Sequence, residues 1–289
     1  MKITVFTPTY NRSKKILRVY ESLKNQSNKN FEWLIVDDGS SDDTEEVVEN
    51  LIIKEKSFSI RYYNKQNGGK HTAHNIAVSE SSNELFFCVD SDDYIVDNAI
   101  ETIIKYSQYL TDENTGILAL KKEIDGKVLS DKLPTGIRQC EKLKLEQIYC
   151  CKGEFTLIYK TSILKKHLFP EIKNERFVAE SVLYDKLDQY GSLLLVNEVI
   201  TVCEYLDDGY TSNYKKLMLN NPIGFKLYYK QRIDLAISLK ECVNYIIRYN
   251  AFCILSNSND FNYKGKKTIL VYLLKPIGFL AYLYYKLKS

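Results

Sequence analysis

The chain has 289 residues, enough to bury one large core or two modest ones, and its 45% hydrophobic and 27% charged content is ordinary for a globular protein. With 40 basic and 37 acidic side chains, the net charge of +3 is too small to argue for nucleic acid, and no basic stripe interleaved with aromatics runs through the first two-thirds. The opening MKITVFTPTYNR turns polar too early for a signal peptide and implies a cytoplasmic start, while seven cysteines without a CxxC pair read as free thiols rather than a disulfide or zinc framework.

Apolar runs at residues 3–8, 31–38, 60–64 and 84–90 end in polar residues and read as buried strands. Between them, residues 13–26, 42–56 and 70–81 have helical spacing, and SSDDTEE supplies cap residues and first-turn acids to the second helix. This alternation predicts an α/β fold with a mostly parallel sheet and helices on both faces. Such sheets bind ligands at the carboxyl ends of their strands, where residues 7–11, 37–40 and 90–93 fall. After Lys105 the pattern changes. Residues 115–130 suggest a hairpin closed by an Asp-Gly turn, followed by a helical stretch near 141–150, a strand at 154–160, a helix starting near Ala179, and strand material over 192–206. From about residue 214 the chain is helical and rich in Tyr, Leu and Lys.

The stretch FFCVDSDDYI carries an apolar run straight into Asp90, Asp92 and Asp93. Three carboxylates within four residues repel one another unless water or a cation separates them. A capped helix start accounts for one of these acids; a divalent cation held at a strand end accounts for all three. After the first strand stands TPTYNRS, with neither GxGxxG nor a P-loop, which argues against an NAD enzyme, a P-loop NTPase and a sugar-1-phosphate nucleotidyltransferase. The glycine pair of NGGKHTAHN puts Lys70 at a helix start, where backbone N–H groups and a cation both suit a phosphate. His71 and His74 share one face of that helix without a third ligand nearby in sequence, so hydrogen-bonding or surface roles are expected for them.

In order and spacing, TPTYNR, WLIVDDGSSDDT, NGGKHTAHNIA and FCVDSDDYI resemble the family 2 glycosyltransferases, inverting enzymes of the GT-A fold that use nucleotide sugars. The likeness is strong over residues 1–115 and weaker to about 210. It implies a GT-A-type, Rossmann-like domain over residues 1–213, with 1–115 as the nucleotide-binding half and 116–213 as the acceptor-side half, followed by a helical extension over 214–289. Tyr10 would then stack on the base, Pro8 and Thr9 would line its pocket, and Asp38 would contact base or ribose. Lys70 and Asn75 would contact the nucleotide. Asp90, Ser91 and Asp92 would form the DxD motif, with Asp92 as metal ligand, Asp90 toward the ribose or a metal-bound water, and Asp93 suited to either role. The implied cofactor is a divalent metal, Mn2+ or Mg2+.

An inverting transfer is a single displacement in which a carboxylate takes the acceptor's proton. The resemblance places that base well after the DxD motif, at a helix start, where NERFVAESVLYDKL offers Glu180, with Glu175 and Asp185 as alternatives. Ser181 stands where the family commonly has an acid, which keeps open a catalytically silent subunit that binds a nucleotide sugar. The C-terminal KKTILVYLLKPIGFLAYLYYKLKS is broken at Lys275 and Pro276, and neither apolar run reaches the ~20 residues that cross a bilayer. Its tyrosines and lysines fit a helix in the membrane interface, and core helices fit equally well. The expected partners are a UDP-sugar and a lipid-linked or oligosaccharide acceptor, with no nucleic acid, in a cytoplasmic protein peripheral on the inner face of the cell membrane.

Overall fold

The computed structural model describes residues 1–204, 214–257 and 263–287. It divides into two compact units, Met1–Phe169 with Tyr184–Tyr205, and Pro170–Leu183 with Leu206–Ser289. The helical unit therefore draws in a segment, Pro170–Leu183, that the sequence pattern assigns to the sheet domain.

The first unit begins β1 (Ile3–Thr9), α1 (Ile16–Lys24), β2 (Phe31–Asp37), α2 (Thr44–Lys54), β3 (Ser59–Asn64), α3 (Lys70–Glu80) and β4 (Leu85–Cys88). These form the expected parallel block, in the order β3-β2-β1-β4. Every residue of β1 and β2 is buried, as befits strands covered on both faces, whereas β3 is half-exposed along its length as the edge. Alternation splits the two faces. Ile3, Val5, Trp33 and Phe87 join one core with Ile16 and Val19 of α1 and Val48 of α2, while Phe6 and Phe86 meet His74 of α3 on the other. Each such side chain contributes roughly 1.5–3 kcal/mol on burial, so the loops at the carboxyl edge ride on well-buried strands.

The sheet continues through β5 (Tyr94–Ile95), α4 (Ala99–Ser107), β6 (Asn114–Glu123), β7 (Gln139–Cys140), α5 (Lys142–Gln147), β8 (Phe155–Lys160), α6 (Thr161–Leu164), α7 (Ser181–Leu187) and β9 (Ser192–Cys203). Among the described residues, β8 inserts antiparallel between β4 and β6, β9 runs parallel to β6, and β5 and β7 each pair antiparallel with β9. The Asp-Gly turn forms, with Gly126 at φ 94° and the Glu123 N–H donating to the Lys127 carbonyl at 2.8 Å. Its return arm is no strand, making only the isolated bridges Lys122↔Val128 and Ser130↔Gly153. The reason is in the chain beyond it, where Pro134 and Gly136 interrupt a polar stretch with no alternating apolar face.

The second unit contains α8 (Tyr214–Asn220), α9 (Pro222–Leu235), α10 (Leu239–Leu255), α11 (Thr268–Leu273) and α12 (Lys275–Leu287). Its core is Phe225, Tyr229 and Ile233 of α9 against Ile246, Tyr249 and Phe252 of α10, closed by Val271. Among the described residues no helix is long and apolar enough to cross a membrane.

Candidate active site

Two loops at the carboxyl edge brace each other. The Asn11 N–H donates to Ser40 Oγ at 2.8 Å, the Ser41 N–H to Asn11 Oδ1 at 2.8 Å, and the Ser13 N–H to Asp42 Oδ2 at 3.1 Å. Asn11 adopts φ 52° to make this turn. The brace leaves Tyr10 with 46% of its surface exposed at the end of β1, while Pro8 and Thr9 are buried beneath it. Among the described residues, Thr9 Oγ1 is buried without a hydrogen-bond partner.

Asp37 and Asp38 both serve the scaffold in this structure. Asp37 accepts from the Ser40 N–H at 2.8 Å and from Tyr62 OH at 2.8 Å. Asp38, expected to meet base or ribose, instead turns toward the loop before α3. Its Oδ1 accepts from Lys65 Nζ at 2.5 Å and the Gly68 N–H at 2.8 Å, and its Oδ2 from the Gly69 N–H at 2.7 Å. Gly39 permits the reversal between them. It has φ 81°, and a Cβ there would stand 3.0 Å from the Asn67 nitrogen and the Lys65 carbonyl.

Lys70, the first residue of α3, pairs with Asp90 at 2.7 Å and so joins the glycine loop to the end of β4. Burial alone would raise the Asp90 carboxyl, but Lys70 and then Lys121 outweigh it and hold the group below its usual range. Asp92 lies in the field of Asp90, Arg12 and Lys70; burial and the Asp90 charge keep its carboxyl above the usual range. Ser91 between them is buried.

Asp93, expected to stand with Asp92, has different partners. The pairing of Tyr94 with Val202 sets it beside β9, where Asp93 Oδ2 accepts from Cys203 Sγ at 3.3 Å and lies 3.4 Å from Lys121 Nζ. Burial, reinforced by Asp90 and Asp92 against the pull of Lys121, pushes it up to about 6. Burial likewise pushes the Cys203 thiol up to about 12, so it is the donor. Lys121 and Cys203 went unmarked in the sequence, because they reach the acids only where β9 pairs with the two-residue β5 on one side and with β6 on the other. Among the described residues, no three His, Cys, Asp or Glu side chains stand together as a ready-made metal cage.

Asn75 also faces inward. Its Nδ2 donates to the Phe169 carbonyl at 3.0 Å and its Oδ1 accepts the Phe169 N–H at 2.9 Å, a clamp between α3 and the last residue of the unit's first segment. His74 is buried among Phe6, Phe86 and Phe169, and burial with the nearby Lys70 charge drives its imidazole down to about 3. It is a neutral core residue.

The family model described as glycosyl transferase family 2 matches residues 4–165, which include Tyr10, Asp38, Lys70 and Asp90 to Asp93. The chain belongs to that family. Among family relatives, it is 28% identical over 174 residues to a GalNAc(5)-diNAcBac-PP-undecaprenol β-1,3-glucosyltransferase of Campylobacter jejuni, covering 59% of this chain and 55% of that one. It is 30% identical over 177 residues to the poly(ribitol-phosphate) β-N-acetylglucosaminyltransferase TarS of Staphylococcus aureus, covering 59% and 30% of the two chains. The matched stretch thus spans little more than half of the first relative and less of the second. In three dimensions, S. aureus TarS 1–349 in complex with UDP-GlcNAc aligns with a TM-score of 0.59 at 19% identity, over 98% of this chain and 89% of that one. The mannosyltransferase PcManGT of Pyrobaculum calidifontis, in complex with GDP-Man and Mn2+, gives 0.57 at 13% identity, over 98% and 84%. The shared fold is the GT-A type that the family's motifs imply.

The three carboxylates considered for the family's base differ sharply, Glu175 and Glu180 belonging to the second unit and Asp185 to the first. Glu175 is buried, with its oxygens accepting the Ile223 N–H at 2.6 Å and the Gly224 N–H at 2.7 Å at the start of α9. Glu180 is exposed and directly precedes α7, its carbonyl accepting the Leu183 N–H at 3.0 Å. Asp185, within α7 and assigned to the first unit, is buried.

Proposed function

We propose that this protein is an inverting glycosyltransferase that moves a sugar from a UDP-sugar to a lipid-linked or polysaccharide acceptor in cell-surface glycan synthesis. The observation that carries the reading is the meeting of Lys70, Asp90 and Asp92 at the carboxyl edge of a parallel block that the family model covers. The names of the Campylobacter and TarS relatives support the class of acceptor, and the UDP-GlcNAc complex of TarS supports the donor.

Tyr10 stacks on the base, with Pro8 and Thr9 lining the pocket beneath it. Lys70 meets the diphosphate. Asp38 and Asn75 shape the nucleotide site from behind, through the glycine loop and α3. The donor set suits a hard divalent cation, Mn2+ or Mg2+, which needs only one or two carboxylates when substrate phosphates complete its shell. Asp92 and Asp90 would hold it; Asp93 belongs to the Lys121 and Cys203 side. The chemistry such a cation would supply there is neutralisation of the charge that grows on the diphosphate as the glycosidic bond breaks. Glu180 takes the proton of the acceptor hydroxyl, since Glu175 is committed to α9 and Asp185 is buried.

The test is calorimetric titration of UDP, with GDP as control, with and without Mn2+, on wild type and Asp92→Asn. UDP binding that requires metal and falls at least roughly tenfold in the variant supports the site. Binding indifferent to both metal and variant, or a preference for GDP, overturns it. Glu180→Gln separates catalysis from binding: it keeps UDP affinity and loses transfer in a screen of UDP-sugars.

A further inference from the structure

The helical unit leaves one large apolar face uncovered. Ile269, Tyr272 and Leu273 of α11, then Ile277, Leu280 and Leu287 of α12, recur at helical spacing and are each between 46% and 77% exposed, except Leu287 at 86%. The opposite side of the same helices is packed. Val271 is buried, Gly278 sits where a Cβ would stand 2.3 Å from the Asn250 Cβ, and Tyr285 meets Phe252 at 5.6 Å between ring centroids. The two helices are thus apolar on both sides, and only one side belongs to the core.

The charge around this face identifies its occupant. Residues 263–289 hold six lysines and no acidic residue, so the whole positive excess of the chain, 40 basic to 37 acidic, resides in this tail. Lys264 and Lys266 are exposed, and Lys275 folds over the Tyr272 ring at 4.1 Å, leaving its ammonium beside the apolar stripe. A second copy seated on this face by two-fold symmetry would set lysines against lysines. An anionic lipid headgroup layer meets Lys264, Lys266 and Lys275 with opposite charge, while the leucines and isoleucines enter the acyl boundary and the tyrosines lie at headgroup level. α12 spans 13 residues, too short to cross a bilayer and long enough to lie along one.

We infer that the exposed face of α11 and α12 docks the protein in the plane of an anionic membrane surface. The inference rests on exposure and charge in the second unit and adds a place of work to the proposed transfer without depending on it.

Flotation of the full chain with phosphatidylglycerol-containing vesicles, against vesicles of phosphatidylcholine alone, tests it. The expected result is co-flotation with the anionic vesicles, weakened in 0.5 M NaCl and reduced at least roughly tenfold in Leu273→Ser/Leu280→Ser. Both substituted positions are exposed, and unchanged ellipticity together with unchanged UDP titration shows that the variant is folded with an intact rim. Absence of vesicle binding by the wild type overturns the proposal. So does sedimentation equilibrium showing an oligomer that the double variant dissociates, since the face would then belong to a second copy. Loss of UDP binding in the wild type would refute the nucleotide site and leave the vesicle result standing.

Discussion

The most discriminating perturbation of the rim is Asn75→Ala. The asparagine lies in the NGGKHTAHN motif, where the family resemblance implies a nucleotide contact, yet its amide group makes a two-point bond to the backbone of Phe169 at 2.9 and 3.0 Å. Truncation strands a buried N–H and a buried carbonyl, each costing ~1–3 kcal/mol when left unpaired. Partial hydration of the vacated space offsets some of this, so the expected loss of unfolding free energy is about 3 kcal/mol. With a urea dependence of ~2–3 kcal/mol per molar for a unit of this size, the midpoint falls by about 1 M.

Trp33 provides the readout, being the chain's one tryptophan and fully buried in β2 of the same unit. Asn75→Asp sharpens the test. It retains an acceptor for the Phe169 N–H but sets a carboxylate oxygen against the Phe169 carbonyl, so it is expected to lower the midpoint at least as far. UDP affinity, measured where all three proteins are folded, changes little in either variant. A midpoint unmoved in both, with UDP affinity lost, would refute the clamp and return Asn75 to the ligand.

Three further outcomes follow from the same structure. The His74 imidazole, held down to about 3 against a usual 6.5 by burial and the Lys70 charge and opposed by Asp90, takes up its proton readily only after unfolding. Its stability contribution is therefore complete above pH 6.5 and lost as pH falls, reaching about 2 kcal/mol by pH 5. Asp188, pushed up to about 6 mainly by burial, works in the opposite sense as pH rises through the same window, so the His74 effect is read as the difference between wild type and His74→Leu urea midpoints at pH 7.5 and 5. Equal pH dependence in the two proteins would contradict it. Among the seven thiols, Cys150 is exposed and Cys88 half-buried, while burial raises Cys140 to about 11 and Cys203 to about 12. Ellman's reagent should titrate one thiol quickly in the native protein and all seven in denaturant; three or more fast thiols would contradict the packing. Finally, Glu175→Ala removes the anion from the start of α9 and should cost ~2 kcal/mol, seen as a lower melting temperature by far-ultraviolet ellipticity. An unchanged melt would show that the carboxylate does not hold that helix.

What could be read in the sequence was what local periodicity encodes. Three strands of the parallel block are largely apolar runs closed by polar residues, the edge strand β3 is a shorter mixed run around Tyr62 and Tyr63, and each intervening helix has its own spacing, so the expected alternation and rim emerge without tertiary information. The Asp-Gly turn was legible too, but not the failure of its return arm, which depends on what Pro134 and Gly136 leave available for pairing. β5 and β7 are two residues each, below the length at which any period registers. The same limit hid Cys203 and Lys121 from the site, since β9 reaches Asp93 through its two-residue pairing with β5 and brings Lys121 with it through its pairing with β6.

A deeper limit concerns what a motif residue is for. Asp38, Asn75 and Asp93 all sit in stretches that carry the family resemblance, and all three turn their polar atoms into the protein: toward the glycine loop, toward Phe169, and toward Lys121 with Cys203. Sequence spacing can say that a carboxylate or amide stands at a strand end, but not which of its two sides it faces, because that is set by partners up to 110 residues away. Such residues can still serve the proposed nucleotide site. The role proposed for Lys70 requires a helix start held still, and the Asp38 bonds to Gly68 and Gly69 hold that start from one side while the Asn75 clamp holds the same helix one turn on. Orienting Lys70 before the donor arrives lowers the entropy that binding must overcome. Substituting Asp38 or Asn75 should therefore weaken UDP binding only as far as it loosens α3, whereas substituting Asp92 should act on the metal-dependent component alone.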